Sequence, residues 1–95
     1  MNTANMLKIQ ITKRAHKFLN NLPTKQALQL KAKIQSLQVN PFPHNSKTLI
    51  GYPKYHRISI GEYRIVYSVT GDILLIFLVG KRNDDEIYKK LKQLL

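Results

Sequence analysis

Between Tyr55 and Tyr88 the chain reads YHRISIGEYRIVYSVTGDILLIFLVGKRNDDEIY, and its most chemically capable side chains are gathered there. Arg57, Ser59 and Arg64 sit on two short β-type runs separated by Gly61-Glu62. Lys81, Arg82 and Tyr88 follow an apolar stretch. Guanidinium groups present planar forks of donors that match phosphate oxygens, so clustered arginines point to phosphate chemistry. The chain has no cysteine, which removes disulfide and thiol chemistry. No acid–base pair and no metal-ligand cluster is legible, so the sequence implies neither a metal nor a cofactor. The basic end of a sheet is the candidate working surface, and its charge suits RNA.

Composition supports that direction. Lys and Arg number 16 against 5 acids, a formal net charge of +11 in 95 residues. Such a charge raises the local concentration of polyanions, at the cost of self-repulsion. The implied partner is a nucleic acid or an acidic protein. The length suits one domain with one core, spanning residues 1–95. The first residues lack a long apolar core with a cleavage site. The longest apolar run, Ile73 to Val79, is too short to span a bilayer. A soluble, cytoplasmic protein without a membrane partner is therefore expected.

These residues need elements to position them. Residues 1–5 read as a polar tail. Leu7 to Ile11 alternates as a half-buried strand does. Thr12 can cap a helix carrying Ala15, Phe18, Leu19 and Leu22, which Pro23 stops. Thr24 is the expected cap of a second helix with an Ala27, Leu30, Ile34, Leu37 stripe. The two form an αα-hairpin that covers a sheet. Pro41 and Pro43 break any periodicity and mark a loop.

The sheet resumes over Lys54 to Ile60. Gly first in the two-residue loop Gly61-Glu62 favours a type II′ hairpin. Its register then sets Ile60 opposite Tyr63, Ser59 opposite Arg64, Ile58 opposite Ile65 and Arg57 opposite Val66. Ile58, Ile60, Tyr63 and Ile65 share the core face, and Arg57, Ser59 and Arg64 share the other. Arg57 is then a diagonal neighbour of Arg64, within reach of one shared phosphate. After a turn at Thr70-Gly71-Asp72, Ile73 to Val79 reads as a strand covered on both faces. Asn83 and Glu86 resemble a capping box for a last helix, with Ile87, Leu91, Leu94 and Leu95 as its apolar stripe. The order is β-α-α-β-β-β-α. This is an α+β fold, an antiparallel sheet with a helical hairpin and a C-terminal helix packed on it.

This ordered set resembles the RelE toxins of the RelE/ParE toxin–antitoxin superfamily. The resemblance is carried by the early strand, the helix pair, Asn40-Pro41, Lys47 to Gly51, Gly61 to Tyr67, Gly80-Lys81-Arg82 and Tyr88. It implies a RelE-like microbial RNase fold and a metal-independent endoribonuclease that cuts mRNA in the ribosomal A site, inhibiting translation. The RNA 2′-hydroxyl is the implied nucleophile. Arg64 matches the arginine that stabilises the transition-state phosphate, and Arg82 the one assigned to the leaving group. Tyr88 matches the substrate-positioning tyrosine, and Arg57 a basic residue of the strand before the hairpin. Lys81, Lys54 and Ser59 are the expected substrate-binding residues beside them.

Ser59 departs from the family, which often has a second basic residue there, proposed as the general base. A hydroxyl does not readily accept a proton near neutral pH. Of the nearby Lys54, Tyr55 and His56, only His56 has an ordinary pKa suited to base work, yet the register puts it on the core face. Structural readings stand beside the functional ones. Arg64 or Arg82 could pair with an acid, Arg82 with Asp84 or Asp85, and Tyr88 could be core packing. Two other functions remain open, a ParE-like toxin acting on DNA gyrase and a non-catalytic basic RNA-binding module. The toxin reading implies a RelB-like antitoxin, acidic where it touches this surface, in a toxin–antitoxin hetero-oligomer. The ribosome and mRNA are its further implied partners.

Overall fold

The computed structural model describes residues 6–95, apart from the side chain of residue 84. The tail expected over residues 1–5 lies outside them. The elements are β1 (Lys8–Ile11), α1 (Lys13–Asn20), α2 (Thr24–Val39), β2 (Lys47–Leu49), β3 (Tyr52–Ile60), β4 (Tyr63–Thr70), β5 (Ile73–Lys81) and α3 (Asp84–Leu94). They form one five-stranded sheet in the order β1-β5-β4-β3-β2. The expected order holds with two refinements. A short strand, β2, precedes the hairpin, and β1 pairs parallel to β5 while every other pairing is antiparallel.

Each face of the sheet has its own core. On one, Ala15 and Leu19 of α1 and Leu30, Ile34 and Leu37 of α2 pack on Ile58, Ile65, Tyr67, Leu74, Ile76 and Val79. On the other, Ile87 and Leu91 of α3 pack on Leu49, Val66 and Leu78, flanked by Tyr52, Tyr55, Phe77 and Tyr88. Burying Ile87 and Leu91 contributes about 1.5–3 kcal/mol each, the main force holding α3 on the sheet. Leu95, expected in the same stripe, is 61% exposed. Among the described residues no helix is long and apolar enough to cross a membrane.

β5 serves both cores through a bulge. Val66 pairs with Leu78 but Tyr67 with Ile76, which leaves Phe77 as the extra residue. Phe77 and Leu78 therefore both join the α3 side. Thr12 secures the opposite edge. Its hydroxyl donates to the Phe77 carbonyl at 2.8 Å and accepts from the Ala15 N–H at 3.2 Å, giving α1 its cap. Thr24 is not the cap expected of it. α2 begins at Thr24 after Pro23, and no side chain caps it. Asn83 caps α3, accepting from the Glu86 N–H at 3.3 Å.

Candidate functional site

The β3–β4 hairpin has the register read from its turn: His56 opposite Tyr67, Arg57 opposite Val66, Ile58 opposite Ile65, Ser59 opposite Arg64 and Ile60 opposite Tyr63. Gly61 has φ +57°, and no residue other than glycine has positive φ among the described residues. That rules out a type I′ turn and agrees with type II′. Because side chains alternate, Arg57, Ser59, Arg64 and Val66 share one face. Val66 packs against α3, Arg57 stands directly opposite it, and Ser59 and Arg64 lie one step nearer the turn.

Arg57, Ser59 and Arg64 line a cavity of about 230 Å³ with two residues the sequence had not pointed to, Asn45 and Lys47. None of the five is acidic. Arg57 and Arg64 are half-buried, and the Nε atom of Arg64 is buried outright. Lys47, Asn45 and Ser59 are exposed. Lys47 arrives through β2, which sets it directly opposite Arg57. Asn45 arrives on the loop after α2. The Tyr67 hydroxyl donates to the Pro41 carbonyl at 2.6 Å, and the Ser46 hydroxyl to the Pro43 carbonyl at 2.8 Å. The first bond ties the loop to β4, and the second closes a turn within it. Burial pushes the Tyr67 phenol above its ordinary pKa, so it stays protonated and able to donate.

Chemically, three cations, a hydroxyl and an amide around a small depression suit a phosphodiester. Guanidinium and ammonium groups balance the charge on its oxygens, and the neutral groups supply hydrogen bonds.

The other expected residues lie elsewhere. Arg82 is exposed. Its backbone N–H donates to the Glu62 carbonyl at 2.6 Å, which holds the start of the β5–α3 connection beside the hairpin turn. Tyr88 is half-buried in the α3-side core. Its hydroxyl accepts the Ile50 N–H at 2.9 Å, and its ring centroid lies 6.1 Å from that of Tyr52. Neither Arg82 nor Tyr88 lines the cavity. Lys54 is exposed in the irregular stretch of β3 between the Thr48–His56 and Leu49–Tyr52 pairings, also outside the cavity.

Lys81 pairs with Tyr63 and so belongs to the opposite face from Arg64. It lines a broad groove of about 1120 Å³, bordered by α1 and α3, with Lys13, Arg14, Lys17 and Lys90 over Phe18, Leu78 and Val79.

His56 faces the helical-hairpin side, as the register requires. Its ring lies 4.8 Å from that of Phe42 and 5.7 Å from that of Tyr67, and its Nδ1 is 3.3 Å from the Thr48 hydroxyl. Burial lowers its pKa. It stands across the sheet from Arg64 and does not serve the cavity as a base. Among the described residues no group of three or more His, Cys, Asp or Glu side chains is placed to hold a metal ion.

Residues 9–86 match the family described as ParE toxin of type II toxin–antitoxin system, parDE. The chain belongs to the RelE/ParE superfamily of type II toxins. A protein of Methanocaldococcus jannaschii provisionally named toxin RelE1 is 33% identical over 79 residues, covering 78% of this chain and 88% of its own. Among solved structures, the free Escherichia coli toxin RelE, as a double arginine-to-alanine mutant, superposes with a TM-score of 0.77. It is 27% identical, and the match covers 95% of this chain and 99% of that one. RelE in the archaeal RelE–RelB complex of Pyrococcus horikoshii has a TM-score of 0.73 at 24% identity, over 82% of this chain and 97% of that one, and shares the fold. The chain is thus a RelE-type toxin of a type II toxin–antitoxin system.

Proposed function

We propose that this toxin is an endoribonuclease that cuts mRNA in the cytoplasm, on the ribosome, and so halts translation. The observation that carries the reading is the cavity in which half-buried Arg57 and Arg64 converge beside Ser59. Arginines are held there by a hairpin whose register the turn fixes, so the donors are preorganised before substrate arrives. The RNA 2′-oxygen attacks phosphorus and the bond to the 5′-oxygen breaks. A 2′,3′-cyclic phosphate and a 5′-hydroxyl result. The 2′-hydroxyl loses its proton and the departing 5′-oxygen gains one. Arg64 stabilises the charge that builds on the phosphoryl oxygens, and Arg57 shares it. Arg82 assists the leaving oxygen, reaching in from its place beside the hairpin turn. Tyr88 positions a base by stacking. In the free toxin its hydroxyl accepts the Ile50 N–H, which helps to hold the ring in place.

A small antitoxin is the proposed regulator. RelE toxins of Pyrococcus horikoshii and Escherichia coli crystallise with RelB partners. The groove carrying Lys13, Arg14, Lys17, Lys81 and Lys90 over an apolar floor suits an acidic amphipathic segment.

A second reading, a toxin directed at DNA gyrase, is favoured by the ParE description of the matched family and by Ser59 in place of a base. One experiment separates the two. Messenger RNA held in programmed ribosomes is incubated with wild type and with Arg64→Ala, and free mRNA serves as control. Cuts that appear only with ribosomes and vanish in the variant support the nuclease. Intact mRNA alongside stabilised gyrase–DNA breaks would transfer the assignment to gyrase.

A further inference from the structure

We propose that Lys47 is a phosphate-binding residue of this site and supplies, from β2, the positive charge that Ser59 does not supply from β3. The inference rests on the nuclease reading above and extends it to a residue that reading does not use.

Three observations carry it. First, β2 pairs with β3 so that Lys47 lies directly opposite Arg57, and cross-strand partners share a face. Second, Lys47 lines the same cavity as Arg57, Ser59 and Arg64. The lysine and the serine are therefore two walls of one depression. Third, like charges placed directly opposite each other disfavour the sheet. The Lys47–Arg57 pair nonetheless brings two cations together at one wall of the cavity. A phosphodiester lying between the two strands would turn that repulsion into a shared contact. The lysine is a compact point charge on a flexible stem, so it can follow the phosphate, while the half-buried arginines define its place.

β2 ends the sheet, and a lysine on an edge strand also serves to discourage pairing with other chains. That role needs a charge on the edge and gives no reason for Ser59 to substitute for it. The two accounts therefore differ in what a lysine at 59 would do.

The test uses the full chain and a single-stranded RNA oligonucleotide with 2′-O-methyl riboses, which cannot be cleaved. Binding is followed by fluorescence anisotropy over a range of salt concentrations, for wild type, Lys47→Ala, Lys47→Arg, Lys47→Ala/Ser59→Lys and, as control, Lys25→Ala on α2, which packs on the other face of the sheet. Loss of one phosphate contact on a single strand makes the slope of log affinity against log salt shallower by about 0.7, or about fivefold in affinity at 0.1 M salt. Lys47→Ala is expected to show this loss, Lys47→Arg to retain binding and Ser59→Lys to restore what Lys47→Ala removed. Wild-type affinity and slope in Lys47→Ala would overturn the proposal, as would an equal loss in Lys25→Ala, which would reduce the effect to net charge. A loss that Ser59→Lys fails to repair would overturn the exchange of one position for the other. If wild type itself binds RNA without salt dependence, the nuclease reading fails and this inference with it. Thermal melting of each variant controls for folding, and exposed Lys47 is expected to be replaceable without a fall in Tm.

Discussion

Arg64 stands directly across the β3–β4 ladder from Ser59, with its Nε buried and its strand held between β3 and β5. A large cation on the central strand thus faces a small neutral side chain, and the space the serine leaves open is part of the cavity. Arg64 is therefore positioned by a strand that is paired on both sides.

Arg64→Ala is expected to abolish cell toxicity and lower mRNA cleavage about 10²-fold or more, the usual consequence of deleting one preorganised donor to a developing oxyanion. Its circular dichroism and melting should stay close to wild type. Growth arrest by a well-expressed Arg64→Ala would count heavily against the catalytic assignment.

RNA affinity should fall steeply with salt, because Arg57, Arg64 and Lys47 would each release counterions on meeting a phosphate. Three contacts to a single strand correspond to a log–log slope of about −2. Titrations at several ionic strengths give the slope directly, and a flat response would contradict phosphate-led binding.

Tyr88→Phe keeps the ring against Tyr52 and removes the acceptor of the Ile50 N–H. A loss of about 1 kcal/mol in urea denaturation is expected. Tyr88→Ala removes the ring as well and should weaken α3 further. Stability unchanged in the phenylalanine variant would show that the hydroxyl contact contributes nothing.

Acid should weaken the fold through His56. Burial disfavours its charged form, so the unfolded chain, with a pKa near 6.5, binds the proton more readily than the folded one. Stability from this group is complete above that value and declines as pH falls below it. Chemical denaturation across this range should show the decline in wild type, and His56→Phe should remove its part of it. An identical profile in both proteins would discharge His56 from the role.

How much of this was legible in the sequence depended on how far apart the partners lie. Gly61-Glu62 fixed the pairing of Arg57, Ser59 and Arg64, because a two-residue turn leaves one register and alternation does the rest. The same logic placed His56 on the helical-hairpin side. β2 escaped because three residues give too little alternation to distinguish a strand from a loop, and Lys47 was missed with it. Phe77 and Leu78 share a face through a bulge that a wholly apolar run conceals. Tyr88 contacts Ile50 across 38 residues, and no local pattern encodes that. At Thr24 the residue type suggested a cap, but Pro23, with its fixed φ, occupies the capping position.

The parallel pairing of β1 with β5 has a consequence for the order in which the molecule assembles. The Thr12–Phe77 bond at that edge joins residues 65 apart. The β3–β4 hairpin, by contrast, closes across two residues. Distant pairings must meet the cost of closing a long loop before any contact rewards them, so they form late and slow the reaction. The β3–β4 hairpin is therefore expected to form early, and the sheet edge that anchors the helical hairpin late. Variants in β1 should then mainly speed unfolding while variants in the β3–β4 hairpin slow folding, which φ-value analysis measures.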